Sequence, residues 1–163
     1  MSSIKLAYID TTYINYLRQF ENKVMYNKGQ KRPYIGIIFK VREHDYFAPL
    51  SSPKEKFQKM KNSEHFMRIA GGKLGAINFN NMIPAKPGCV NPIHVSQIDD
   101  WKYKLLLINQ IKFFNEFETE IINRATKLYK NYKSNKLRPE VKKVCCNFVL
   151  LEKVAKDYKL KRQ

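Results

Sequence analysis

The chain has 163 residues, with 31 Lys and Arg against 14 Asp and Glu, a formal charge of +17. Like charges in that excess repel one another in the compact state, so the surplus points outward, to a phosphate polymer or an anionic membrane. At 44% hydrophobic and 13% aromatic residues the sequence is too apolar for a solvated basic tail, which excludes intrinsic disorder, and its length predicts one domain over residues 1–163.

The predicted elements begin with Lys5–Ile9, where polar and apolar residues alternate as in a strand. Tyr13, Tyr16, Leu17 and Phe20 then recur at helical spacing. Tyr34–Val41 and Tyr46–Leu50, rich in aromatic and β-branched residues, read as a hairpin turning at Glu43-His44-Asp45. Ser52 through Glu55 matches a capping box, with Pro53 at the first helical position, so a helix is expected to start there. Its N-terminus, with Lys54 and Lys56 beside it, would suit a phosphate.

Gly71-Gly72 predicts a turn into a strand over Leu74–Phe79. After Asp100, a plausible N-cap, apolar residues recur every three or four positions from Trp101 to Tyr132. One straight helix of that length would overhang the domain, so a break is expected near Glu120–Asn123. Pro139 interrupts, and Asn147 is expected to cap a last helix through Tyr158. A strand-rich half followed by a helical half implies an α+β fold.

The longest apolar runs, Tyr34–Phe39 and Leu105–Ile108, are far shorter than the roughly 20 residues a bilayer span needs. The first residues also lack a signal-peptide core, so a soluble, cytoplasmic protein is expected. Cys89, Cys145 and Cys146 cannot all pair internally, and reduced thiols are the simplest reading. His44, His65 and His94 are scattered, and acidic residues are few, so no metal site or cofactor is expected. No phosphate-binding loop or nucleophile elbow is present.

Basic residues cluster between Lys54 and Lys73 and between Arg124 and Lys143. Tyr103, Tyr129 and Tyr132 lie among lysines, a combination that suits stacking on single-stranded nucleic acid, although each also suits a core. Charge and tyrosines alone support a non-catalytic RNA-binding module, with a peripheral membrane protein as a further reading. The membrane reading is weakest, because the Lys-rich helix lacks exposed Trp and Phe beside its lysines.

At Arg32-Pro-Tyr-Ile-Gly36, Tyr46-Phe-Ala-Pro-Leu-Ser-Ser-Pro-Lys54 and Gly75-Ala-Ile-Asn-Phe-Asn-Asn-Met-Ile-Pro84 the sequence resembles the ToxN/AbiQ family of endoribonuclease toxins. These toxins belong to type III toxin–antitoxin and abortive-infection systems used in phage defence. Similar stretches at Tyr13–Leu17, Tyr103–Leu107 and Cys146–Glu152 extend the resemblance along nearly the whole chain, whereas Asn62–Lys73 departs from the family pattern.

The resemblance implies a compact antiparallel β-barrel core of the MazF/Kid toxin type, decorated by helices, with a long helix after residue 100. It implies metal-independent cleavage at A-rich sites of messenger RNA and of the antitoxin precursor, through 2′-OH attack, leaving a 2′,3′-cyclic phosphate and a 5′-OH. The inhibitor would be a repeated, pseudoknot-like antitoxin RNA rather than a protein, in closed rings that commonly hold three copies of each.

Carried over by position, Ser51 and Ser52 fall on the family's hydroxyl pair, Lys54 on its Pro-Lys, and Arg32 on a basic position before the Ile-Gly strand. Arg32 and Lys54 would stabilise charge on the non-bridging oxygens, Ser52 would orient or relay a proton, and Ser51 would help position them. Tyr13, Lys31, Lys56 and Lys59 are the expected RNA contacts.

Overall fold

The period-2 pattern of Lys5–Ile9 is realised as strand β1, with Leu6, Ala7 and Ile9 buried and Lys5 exposed. In the computed structural model, which describes residues 4–159, β1 leads into helix α1 (Thr11–Arg18). The helix buries Tyr13, Ile14 and Leu17 against the sheet, while Phe20, beyond its end, is exposed.

Strands β2 (Tyr34–Val41) and β3 (His44–Ser51) form the expected hairpin. The reversal uses only Arg42-Glu43, with Arg42 at φ 58°. A two-residue turn matches strand twist better than a longer one, so His44 and Asp45, expected in the turn, continue β3 instead.

After the short helix α2 (Glu55–Lys59) come four three-residue strands, β4 (Phe66–Arg68), β5 (Ala76–Asn78), β6 (Ile83–Ala85) and β7 (Val90–Pro92). The strand expected over Leu74–Phe79 is trimmed to β5, because Gly75 at φ +107° lies outside extended backbone and Phe79 enters a tight 3₁₀ turn. Neighbours along the sheet run β4-β5-β3-β2-β1-β7, and β6 also pairs with β3. Every pairing is antiparallel. The α+β expectation holds, but the path is open at β4 and β7 among the described residues, so the ladder does not close into the barrel expected from the MazF/Kid likeness.

The helical half starts where expected. Asp100 Oδ1 accepts from the backbone N–H groups of Lys102 and Tyr103 at 3.0 and 3.2 Å and opens α3 (Trp101–Glu116). The break falls at Phe117 rather than at Glu120–Asn123, with φ −107° and ψ 23°, and its ring packs on Phe113 at 4.6 Å between centroids. Helix α4 (Glu118–Lys133) follows. Pro139 starts α5 (Pro139–Val144), at a first-turn position where its missing N–H is harmless. Asn147 accepts from Leu150 N at 3.1 Å and caps α6 (Phe148–Asp157). None of these helices, among the described residues, is long and apolar enough to cross a membrane.

One hydrophobic cluster joins the sheet to α1, α3, α4 and α6, and it absorbs several residues expected at the RNA surface. Tyr13, expected as an RNA contact, is 2% exposed and its hydroxyl donates to the Pro84 carbonyl, so it is built into the core rather than presented at the surface. Tyr129 and Tyr132 pack against Phe148, at 6.0 and 4.9 Å between centroids. Tyr129 and Tyr46 both donate to Glu152 Oε2. The second basic window is also more mixed in sign than its sequence suggests: Arg124 pairs with Glu120, Arg138 with Glu64 and Glu140, and Lys133 with Glu152.

Candidate active site

The C-terminal end of β3 and the residues just before β2 lie side by side, because the hairpin brings residue 50 back to residue 33. Leu50 N donates to the Pro33 carbonyl at 3.0 Å. The preceding loop is organised by Asn27, which is buried: its side chain donates to the Ile9 carbonyl at 2.7 Å, and its own carbonyl accepts from the N–H groups of Lys31 and Arg32. Arg32 is thereby held over the hairpin end, where Nε donates to the Tyr26 carbonyl at 2.8 Å and Nη1 to the Leu50 carbonyl at 2.9 Å.

A guanidinium has five N–H donors, and these two bonds leave Nη2 uncommitted among the described residues. Partial burial lowers the proton affinity of Arg32 from the ordinary arginine value, with nearby Tyr34 opposing the shift. Arginine nonetheless stays charged at neutral pH. The result is a cation fixed in direction beside Ser51.

Ser51 is held from the other side by the turn before β5. It pairs with Ala76, and its Oγ accepts from Asn78 Nδ2 at 2.9 Å, while the same nitrogen lies 3.3 Å from the Pro49 carbonyl. Gly75 makes this approach possible, since a Cβ there would sit 2.2 Å from the Ser51 carbonyl oxygen. Ser52 is exposed, and its hydroxyl has no hydrogen-bond partner among the described residues.

Arg32, Ser51 and Ser52 line one cleft of about 90 Å³, together with Lys31, Tyr103 and Gln110. Lys54, Lys56 and Lys59 lie outside it, exposed along the approach to α2 and on that helix. The capping box is not formed: Lys54 is the N-cap residue, extended at φ −140° and ψ 142°, and no side chain caps α2. Pro53 favours an extended residue before it, which carries Ser52 away from the first turn. A helix of five residues also has little dipole to offer a phosphate.

The cleft has cations and hydroxyls but no side chain ready to act as a strong base. Tyr103 shares a 2.8 Å hydrogen bond with Tyr8, and burial followed by that bond pushes its phenol well above the ordinary value. Burial pushes the Cys89 and Cys145 thiols up to about 11, so neither is a thiolate near neutral pH. No group of three His, Cys, Asp or Glu side chains converges among the described residues. A larger groove of about 740 Å³ lies on α4, but it mixes Glu64, Glu116 and Glu120 with Arg124 and Lys127 and contains none of the expected site residues.

Sequence reasoning missed Asn78 and Gln110. Asn78 lies within a motif that bears the family resemblance, but its bond to Ser51 depends on a strand pairing that only the fold reveals. Gln110 leaves a local trace, as a polar residue on the face of α3 shared by Leu107 and Phe114.

The chain matches the family described as Toxin ToxN, type III toxin–antitoxin system, over residues 5–156. It is 32% identical to Endoribonuclease ToxN of Bacillus thuringiensis subsp. kurstaki, over 98% of this chain and 86% of that protein. It is 28% identical to Endoribonuclease AbiQ of Lactococcus lactis subsp. lactis, over 98% of this chain and 91% of that one. A structure solved in work on selective toxin inhibition by a non-coding RNA pseudoknot superposes with a TM-score of 0.83 at 31% identity, covering 97% of this chain and 99% of that one. The structure of AbiQ, described as a lactococcal anti-phage endoribonuclease, superposes at 0.80 with 27% identity, covering 95% and 97%. With the family match spanning nearly all of the sequence and the fold following its solved relatives end to end, this chain belongs to the ToxN family of type III toxin–antitoxin toxins.

Proposed function

We infer that the protein is a metal-independent endoribonuclease toxin, acting in the cytoplasm as one domain over residues 1–163. Its substrates are A-rich sites in messenger RNA and in its own antitoxin precursor, and a repeated, folded RNA inhibits it. The observation that carries this reading is the convergence of a directed Arg32 with Ser51 and Ser52 in one small cleft. Cations and hydroxyls suffice for RNA cleavage when the nucleophile is the substrate's own 2′-OH.

In the in-line step the 2′-oxygen forms a bond to phosphorus as the bond from phosphorus to the 5′-oxygen breaks. The 2′-OH loses its proton, and the departing 5′-oxygen gains one. Arg32, with Lys54 at the approach, stabilises the charge on the non-bridging oxygens. Ser52, exposed at the cleft mouth, orients or relays a proton, and Ser51, held by Asn78, sets its position. Lys31, Lys56 and Lys59 line the path of the strand as electrostatic contacts. The antitoxin RNA fills the same cleft, and three proteins alternate with three RNAs in a closed ring.

Cleavage of RNA by purified protein in excess chelator, with product ends mapped as 2′,3′-cyclic phosphate and 5′-OH, tests the reading. Ser52→Ala is expected to abolish cleavage while keeping the melting temperature near wild type, and Arg32→Ala to lower cleavage by about 10²–10³-fold. Salt-dependent RNA binding without strand scission by the wild type would instead make the protein a non-catalytic RNA-binding module.

A further inference from the structure

Gln110 occupies a place where helix periodicity calls for an apolar residue. It lies on α3 between Leu107 and Phe114, both buried, and is itself only 3% exposed. A carboxamide offers two N–H donors and two acceptor lone pairs, and burying it is unfavourable unless they are used. Here Nε2 donates to the Leu74 carbonyl at 2.8 Å, while Oε1 is buried with no hydrogen-bond partner among the described residues. The same side chain lines the cleft with Arg32, Ser51 and Ser52.

The two ends of the carboxamide therefore have different tasks. The nitrogen ties down Leu74, next to Gly75, whose backbone abuts Ser51. The oxygen is an acceptor waiting for a donor. Phosphate oxygens carry no proton at neutral pH and cannot satisfy it. A cleft of about 90 Å³ is small, which suits a hydroxyl or a phosphoryl group. On the sugar–phosphate backbone of RNA the ribose 2′-OH is the group with a proton to donate, and it is also the group that distinguishes RNA from DNA.

We propose that Gln110 Oε1 accepts a hydrogen bond from the 2′-hydroxyl at the cleavage site, holding the attacking group in the cleft and selecting ribose over deoxyribose. This rests on the ribonuclease reading above. Gln110 takes no proton in the reaction, since an amide oxygen is far too weak a base.

The test first maps where wild-type protein cuts a model RNA. Oligonucleotides of that sequence are then made with a single 2′-amino, 2′-fluoro or 2′-deoxy sugar at the cut position. Of the three substituents only the amino group can donate a hydrogen bond. Wild type is expected to bind the amino strand about 5–10-fold more tightly than the other two, the size of one hydrogen bond. Gln110→Leu and Gln110→Met are expected to bind all three alike. A purely structural clamp on Leu74 would instead weaken all three strands equally and leave the amino preference intact in both variants, which would overturn the proposal. Equal binding of the three strands by wild type would overturn it without any variant, even while the protein cleaves RNA. Absence of cleavage by wild type would overturn the ribonuclease reading and this inference with it.

Discussion

Gly75 offers a direct test of how the strand that carries Ser51 is held. Its φ of +107° is backbone that side-chain-bearing residues rarely adopt, and an added Cβ would lie 2.2 Å from the Ser51 carbonyl oxygen. Backbone strain of this kind costs about 1–3 kcal/mol, and forcing an extra carbon into a packed position about 1–3 kcal/mol more, so Gly75→Ala should destabilise by about 2–6 kcal/mol. Each kcal/mol lowers Tm by about 2–4 °C in a domain of this size, which predicts a fall of at least about 4 °C. Gly71 is the control: it too has positive φ, +66°, but nothing lies within 4 Å of its Cβ position. Gly71→Ala should therefore cost only about 1–2 kcal/mol and leave cleavage unchanged. Because the clash at Gly75 must displace Ser51, kcat for RNA cleavage should also fall by at least about tenfold. Thermal denaturation and single-turnover cleavage of both variants measure the contrast. A Gly75→Ala protein as stable and active as Gly71→Ala would refute the argument that this contact sets Ser51.

Replacing Asn78 with Leu removes the donor to Ser51 Oγ and Pro49 O, and kcat is expected to drop about tenfold, equivalent to one hydrogen bond, with KM little changed. Arg32→Lys keeps the charge but cannot hold the Tyr26 and Leu50 carbonyls in one fork, so it should recover little of the activity lost in Arg32→Ala, a loss expected at about 10²–10³-fold in kcat/KM. Burial holds His44 and His65 below the ordinary imidazole value, with Lys86 adding to the shift at His44, and with Glu64 opposing and Arg138 adding at His65. On acidification from pH 7 the unfolded chain takes up these protons first, at about pH 6.5, so stability should fall as pH drops through that value toward the lowered folded ones. Melting curves between pH 7 and 5 measure this, and His44→Gln should flatten the dependence.

Features governed by nearby residues were legible in the sequence. Asp100 and Asn147 cap their helices because an acceptor side chain two or three residues before an N–H needs no tertiary partner. The β2–β3 hairpin was legible from its aromatic and β-branched residues on either side of a turn-prone stretch. The three-residue strands β4 to β7 were not, since so short a run has no period and exists only because β1, β3 or a neighbouring strand pairs with it. Ser52 matched a capping pattern, yet the extended backbone at Lys54 delays the helix.

In the site itself, Arg32, Ser51 and Ser52 were found through the family resemblance, and the cleft brings them together. Tyr13, expected among the RNA contacts, lies in the core, where its hydroxyl reaches the backbone of β6. Asn78 and Gln110 act across 27 and 36 residues of sequence, a distance at which composition and period carry no information.

Strand β3 is paired on both sides, with β2 along one edge and with β6 and then β5 along the other. Ser51 is the last residue of that strand, so the proposed catalytic hydroxyls grow out of the region expected to open last in hydrogen exchange. Many enzymes are idled by letting a mobile loop wander from its working position. Here Ser51 stands on a strand paired along both edges, so displacing it would mean unzipping part of the sheet.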